Sequence, residues 1–121
     1  MSHWVSFDMT VAMADDICDL LFQRILAEGY SVKSVDSGKH VYVRNMDLVS
    51  RGAFLLSGGT WDKAPTTLTV SFIPSPNEIL VRFKFEVDGS HSKKEALGMQ
   101  QFFQCEFNSF LKHVNAWLAA P

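Results

Sequence analysis

Apolar and polar positions follow two rhythms along this chain, and the switches between them mark out its elements. Over residues 4–11 the period is two: Val5, Phe7, Met9 and Val11 fall on one side, Trp4, Ser6, Asp8 and Thr10 on the other. That is the pattern of a strand with one face buried. The period then lengthens to three and four. Ile17, Leu21 and Ile25, with Ala14, Cys18 and Leu20 beside them, predict a helix over about 14–28, and Gly29 stands at the position where such helices stop. Residues 30–35 and 40–44 flank the turn residues Asp36, Ser37, Gly38 and Lys39 and predict a β-hairpin. Alternation returns over 66–73, with Leu68, Val70 and Phe72 turned inward, and over 79–87, with Ile79, Val81, Phe83, Phe85 and Val87 turned inward. Pro74, Ser75, Pro76 and Asn77 form the turn between these two strands. Between Asn45 and Pro65 the pattern is weak. Ala53, Phe54, Leu55 and Leu56 suit a short strand, and Ser57, Gly58, Gly59 and Thr60 suit a loop.

The strongest element is the last one. Residues 92–120 read as one long amphipathic helix with a capping box of Ser92 and Glu95. Its apolar stripe runs through Ala96, Met99, Phe103, Phe107, Phe110, Val114 and Trp117, widened by Leu97, Phe102, Leu111 and Leu118. Lys94, Gln101, Asn108, Lys112 and Asn115 are expected to face water. At ~1.5 Å per residue the helix is roughly 40 Å long and spans the whole body. The surplus width of its stripe is the feature that points beyond simple core packing.

The predicted order is β-α-β-β-(β)-β-β-α: an α+β fold in which a single layer of curved, mainly antiparallel sheet packs against two helices. This order, with its long last helix, resembles the β-α-β(4)-α plan of the TATA-box-binding-protein-like folds. It also resembles a small version of the helix-grip plan of the START and plant-pollen-allergen (Bet v 1-like) superfamily. The second resemblance implies a sheet wrapped around the C-terminal helix. The helix-grip proteins carry more strands and a two-helix insertion near the N-terminus, which this chain lacks, so a large cavity is not implied.

A chain of 121 residues with 47% apolar and 20% charged residues reads as one domain, residues 1–121, able to bury a core without disulfides or metals. Cys18 and Cys105 are expected as buried free thiols, which fits a reducing compartment. No basic start followed by an apolar run opens the sequence, and no stretch of ~18 apolar residues occurs, so a cytoplasmic protein that does not engage membranes is expected. The net charge of −2 is uneven: residues 1–30 carry −4 and the rest +2. Asp15, Asp16 and Asp19 at the start of a helix suit its dipole and call for no acidic-site explanation.

Candidate chemistry is sparse. His3, His40, His91 and His113 show no metal-ligand spacing with one another or with cysteine, so no metal and no cofactor are expected. Serine-hydrolase and nucleotide-binding signatures are missing, and no catalytic residues are assigned. An enzyme would require Cys18 or Cys105 to meet a histidine across the fold. The outer sheet face is expected to show Thr67, Thr69 and Ser71 beside Arg82 and Lys84, with Lys33 and Arg44 near them and no aromatic residues between. With a pI near 6.0 this is a solvated face and not a nucleic-acid surface.

The most unusual local stretch is residues 58–65, where Trp61, Asp62 and Lys63 lie between two glycines and a proline. Trp61 either anchors a ligand at the rim of a site or folds back as a plug over one end of the core, and the plug is the simpler reading. Two functions remain open. The first is a non-enzymatic binding module whose apolar cleft, between sheet and last helix, takes a small hydrophobic ligand or a partner. Its ligand-contacting residues would be Trp61, Phe54, Phe103, Phe107 and Phe110. The second is a homodimeric structural or regulatory protein with no small-molecule ligand, associating through the last helix or a sheet edge.

Overall fold

The structure is a computed structural model and describes residues 2–12, 16–47, 61–88 and 93–119. The expected strand over 53–56, with Phe54, and the expected capping residue Ser92 lie outside the described residues. Among the described residues there are five strands: β1 (Ser2–Ala12), β2 (Ser31–Asp36), β3 (Lys39–Arg44), β4 (Thr66–Pro74) and β5 (Glu78–Asp88). Two helices accompany them among the described residues, α1 (Ile17–Ala27) and α2 (Lys93–Ala119), with a 3₁₀ turn at Trp61–Lys63.

The strands form one open sheet in the order β1-β5-β4-β3-β2, and every neighbouring pair is antiparallel. The four later strands make a meander through short turns. Gly29 and Gly38 adopt the positive φ values that end α1 and turn the β2–β3 hairpin, 95° and 144°. The amide of Phe72 donates to the Gly38 carbonyl at 2.8 Å and ties that turn to β4. β1 lies outside the meander, paired along its whole length with β5, from Ser2 opposite Asp88 to Ala12 opposite Glu78. Its direction therefore matches that of β2 at the other edge, and α1 crosses the sheet to join the two.

Both helices cover one face. Ile17, Leu21 and Ile25 of α1 are buried, spaced four apart as the pattern requires. On α2 the buried stripe is Met99, Phe103, Phe107, Phe110 and Val114, with Ala96 and Trp117 half-buried at its ends. Rings interleave across the interface: Phe103 stacks on Phe85 with centroids 4.7 Å apart, Phe110 stacks on Phe83 at 5.4 Å, and Phe107 stacks on Phe7 at 5.2 Å. α2 thus lies over β1 and β5, while Phe22 places α1 over β3, against Tyr42 and His40.

Five strands at ~4.8 Å spacing make a sheet wider than two helices of ~10 Å can cover. Among the described residues the strand left uncovered is β2. All six of its residues are exposed, including Val32 and Val35, which pair with the inward-facing Tyr42 and His40.

Candidate functional site

The space between sheet and α2 is filled by side chains of the chain itself. Phe103, Phe107 and Phe110 are at most 5% exposed, each in ring contact with β5. Trp61, 8% exposed, sits over Gly98, and a Cβ added to that glycine would come within 3.1 Å of the indole Nε1. Asn45 holds this turn in place. It adopts a left-handed φ of 61°, a conformation asparagine tolerates, and its amide donates to the Asp62 carbonyl at 2.8 Å. Buried Thr66 donates to the Ala64 carbonyl at 2.9 Å. Four of the five residues expected to contact a ligand are thus core-packed, and the fifth, Phe54, is outside the described residues.

An open cleft does exist, at the opposite end of the sheet. It measures about 300 Å³ and lies between the first turn of α1, the β2–β3 turn and the β4–β5 turn. Phe72, Pro74 and Ile79 give it an apolar wall, Gly38 a backbone rim, and Cys18, Asp36, Ser37 and His40 its polar groups. The His40 ring packs edge-on to Phe72 at 5.1 Å and to Phe22 at 6.3 Å. Its Nδ1 shares a hydrogen bond with the Tyr42 hydroxyl at 2.9 Å, which fixes the ring and leaves Nε2 for a ligand.

Burial favours the neutral forms of His40, Tyr42 and Cys18. Burial lowers the pKa of His40, so its imidazole is uncharged at neutral pH. Burial, with Cys18 nearby, pushes the Tyr42 phenol up to about 12. Burial and then the Asp19 carboxylate push the Cys18 thiol up, away from the thiolate that nucleophilic chemistry needs. The cleft therefore holds a thiol and an imidazole that burial shifts toward their neutral forms.

A second polar cluster is structural. Glu106 of α2 accepts from the Tyr30 hydroxyl at 2.6 Å and from Arg44 Nη2 at 3.0 Å, with both charged side chains only about a tenth exposed. The Arg44 guanidinium also lies 4.2 Å from the Tyr30 ring centroid. Burial first, then the Glu106 carboxylate, raises the Tyr30 phenol well above its ordinary value. The trio bolts the middle of α2 to the end of β3 and the start of β2.

This corrects the expected placing of Arg44 on the outer sheet face: Arg44 pairs with Thr66, whose side chain is inward, so it points to the helices. Lys33 falls at the register shift of β2, on the sheet edge. The outer face does carry an aromatic residue. Trp4 is 56% exposed with the Lys84 ammonium 5.1 Å from its ring, and Arg82 pairs with Asp8 at 2.9 Å. The Arg82 hydrogen bond holds the Asp8 carboxyl below its usual range. Cys105 also departs from expectation. With Phe103 and Phe107 turned to the sheet, position 105 points the other way, and the thiol is exposed.

Sequence reasoning passed over the cleft because its lining comes from four separate stretches around positions 18, 36–40, 72–74 and 79. No local motif links them. Among the described residues no group of three or more potential ligands could hold a metal ion, and no helix is long and apolar enough to cross a membrane. Comparison with known proteins leaves the site to be read on its own geometry: no family model matches this chain, and no curated protein matches it.

Proposed function

We propose that this chain is a non-enzymatic binding module that takes a small, flat, mostly apolar ligand in the cleft beside His40. The observation that carries this reading is an open, apolar-walled cleft of about 300 Å³ with a fixed imidazole at its edge. That volume stands at the lower end of the range for small-molecule pockets, and a mainly apolar lining with few polar groups is their usual composition. The neutral ring of His40 offers one hydrogen bond to orient a ligand whose body lies against Phe72 and Ile79. The raised pKa of Cys18 argues for binding over catalysis.

The test uses 2-naphthol, a flat ring system with one hydroxyl, titrated into isotopically labelled protein. Saturable shifts of the Cys18, Gly38 and His40 amide resonances support the proposal. Phe72→Ala removes one wall and is expected to weaken that binding about tenfold. No saturable shift, or shifts confined to residues outside the cleft, would overturn it.

A further inference from the structure

The two edges of the sheet are built differently. β2 is short, and its register shifts at Lys33. A bulge and an edge lysine are both devices that discourage pairing with another chain. β1 has neither. It is eleven residues long, keeps an unbroken register with β5, and contains no lysine and no proline. Among the described residues it pairs with β5 alone.

Beyond its first turn, where Lys93 and Glu95 are exposed and Lys93 stands on the β1 side, the helix above this edge carries little charge. Ten residues between Leu97 and Ala119 are exposed, and only Lys112 among them is charged. Glu106 points toward Tyr30 and Arg44, so at 100° per residue Gln100, Gln104, Leu111 and Leu118 lie on the opposite flank, above β1. Leu118 is 42% exposed, and Leu111, Val5 and Phe7 are half-buried. Depletion of charge around apolar side chains is the compositional mark of an interface core.

We propose that β1 and this flank of α2 pair with a second copy of the same chain, joining two sheets edge to edge across a two-fold axis at Phe7. Centring on Phe7 pairs all eleven residues, Ser2 with Ala12 at the ends, keeps inward side chains opposite inward ones, and sets Ser6 opposite Asp8 of the second copy. Centring on Asp8 would set two carboxylates opposite each other, which is unfavourable. The edge is about 36 Å long and, with the helix flank, about 20 Å deep. That offers roughly 700 Å² per partner, close to the ~800 Å² that a stable complex buries.

Sedimentation equilibrium of the full chain is expected to give twice the 13.6 kDa chain mass. Ser6→Asp sets a carboxylate opposite Asp8 of the second copy while facing Lys84 within its own chain. It is expected to weaken association roughly tenfold through two like-charged pairs. Leu118→Lys is expected to do the same from the helix side, and Ser71→Lys, on the open sheet face, to leave association unchanged. A monomer at high micromolar concentration, or a dimer indifferent to both Ser6→Asp and Leu118→Lys, overturns the proposal. Should either variant misfold by circular dichroism, hydrogen exchange on the unaltered chain decides. Alternate β1 amides must lose protection on dilution, and exchange there that ignores concentration overturns the pairing.

Discussion

At the scale of single residues, Glu106 is the side chain whose loss should be felt most. It receives a hydroxyl and a guanidinium in a nearly buried site, so Glu106→Gln leaves the Arg44 charge without its counter-ion. Breaking one partner of such a pair costs about 3 kcal/mol, whereas replacing both by apolar residues of similar volume is often neutral. We expect Arg44→Met with Glu106→Leu to be more stable than Glu106→Gln alone, measured by urea unfolding. The pH dependence has two limbs. His40 has a lower pKa folded than its ordinary ~6.5, so the unfolded chain binds more protons in acid, and stability falls as pH drops below that value. His40→Gln should flatten this limb. Tyr30 is shifted upward, so its contribution is complete below pH ~10 and lost as pH rises toward its folded value. Tyr30→Phe should flatten the alkaline limb, leaving the parts due to Tyr42 and Cys18. Gly98→Ala adds helix propensity worth about 1 kcal/mol but presses a methyl group against the Trp61 indole. We expect it to displace the Trp61 indole N–H resonance without raising stability by that full amount.

At the scale of elements, regular patterns were readable and assembled sites were not. The stripe Met99, Phe103, Phe107, Phe110, Val114 repeats at helical spacing, and the structure buries every one of these residues. β5 alternates without a fault, and its inward set is buried from Ile79 to Val87. In both cases one periodic surface meets one partner, so the sequence carries the whole instruction. Arg44 shows where that stops. Its inward direction depends on β3 pairing with β4 so that it lies opposite Thr66, a register no local pattern states. The cleft depends on still more, because His40, Phe72 and Cys18 meet only after β3, β4 and α1 are in place. The joint between α2 and the sheet offers a direct measure of the readable part. Phe103 is fully buried against Phe85, and Phe103→Ala is expected to cost about 3–5 kcal/mol in urea unfolding. A loss below 1 kcal/mol would mean that the ring stack is not the joint it looks to be.

At the scale of the whole molecule, the strand order sets how the chain must fold. β2 to β5 form a meander of local pairings, but β1 joins β5 across most of the sequence, with Ser2 opposite Asp88. Such long-range pairing slows folding, and refolding in milliseconds to seconds is expected instead of the microseconds of small helical bundles. Thr10→Pro, which places a ring that cannot donate within β1, should therefore slow refolding in stopped-flow measurements more than Asn77→Pro in the β4–β5 turn. If the turn variant proves the slower one, docking of β1 is not the late, limiting event.

The pairing of β1 with β5 also has a mechanical side. β1 starts at the pole of the molecule where α2 begins, while α2 runs back along β5 and ends near the opposite pole. Tension applied between the start of β1 and the end of α2 would therefore pull β1 lengthwise against β5. Eleven paired residues would have to slip in shear together, with no strand end free to peel away first. The edge that leaves this sheet open to a neighbour is thus also the one that resists being drawn out by its own tail.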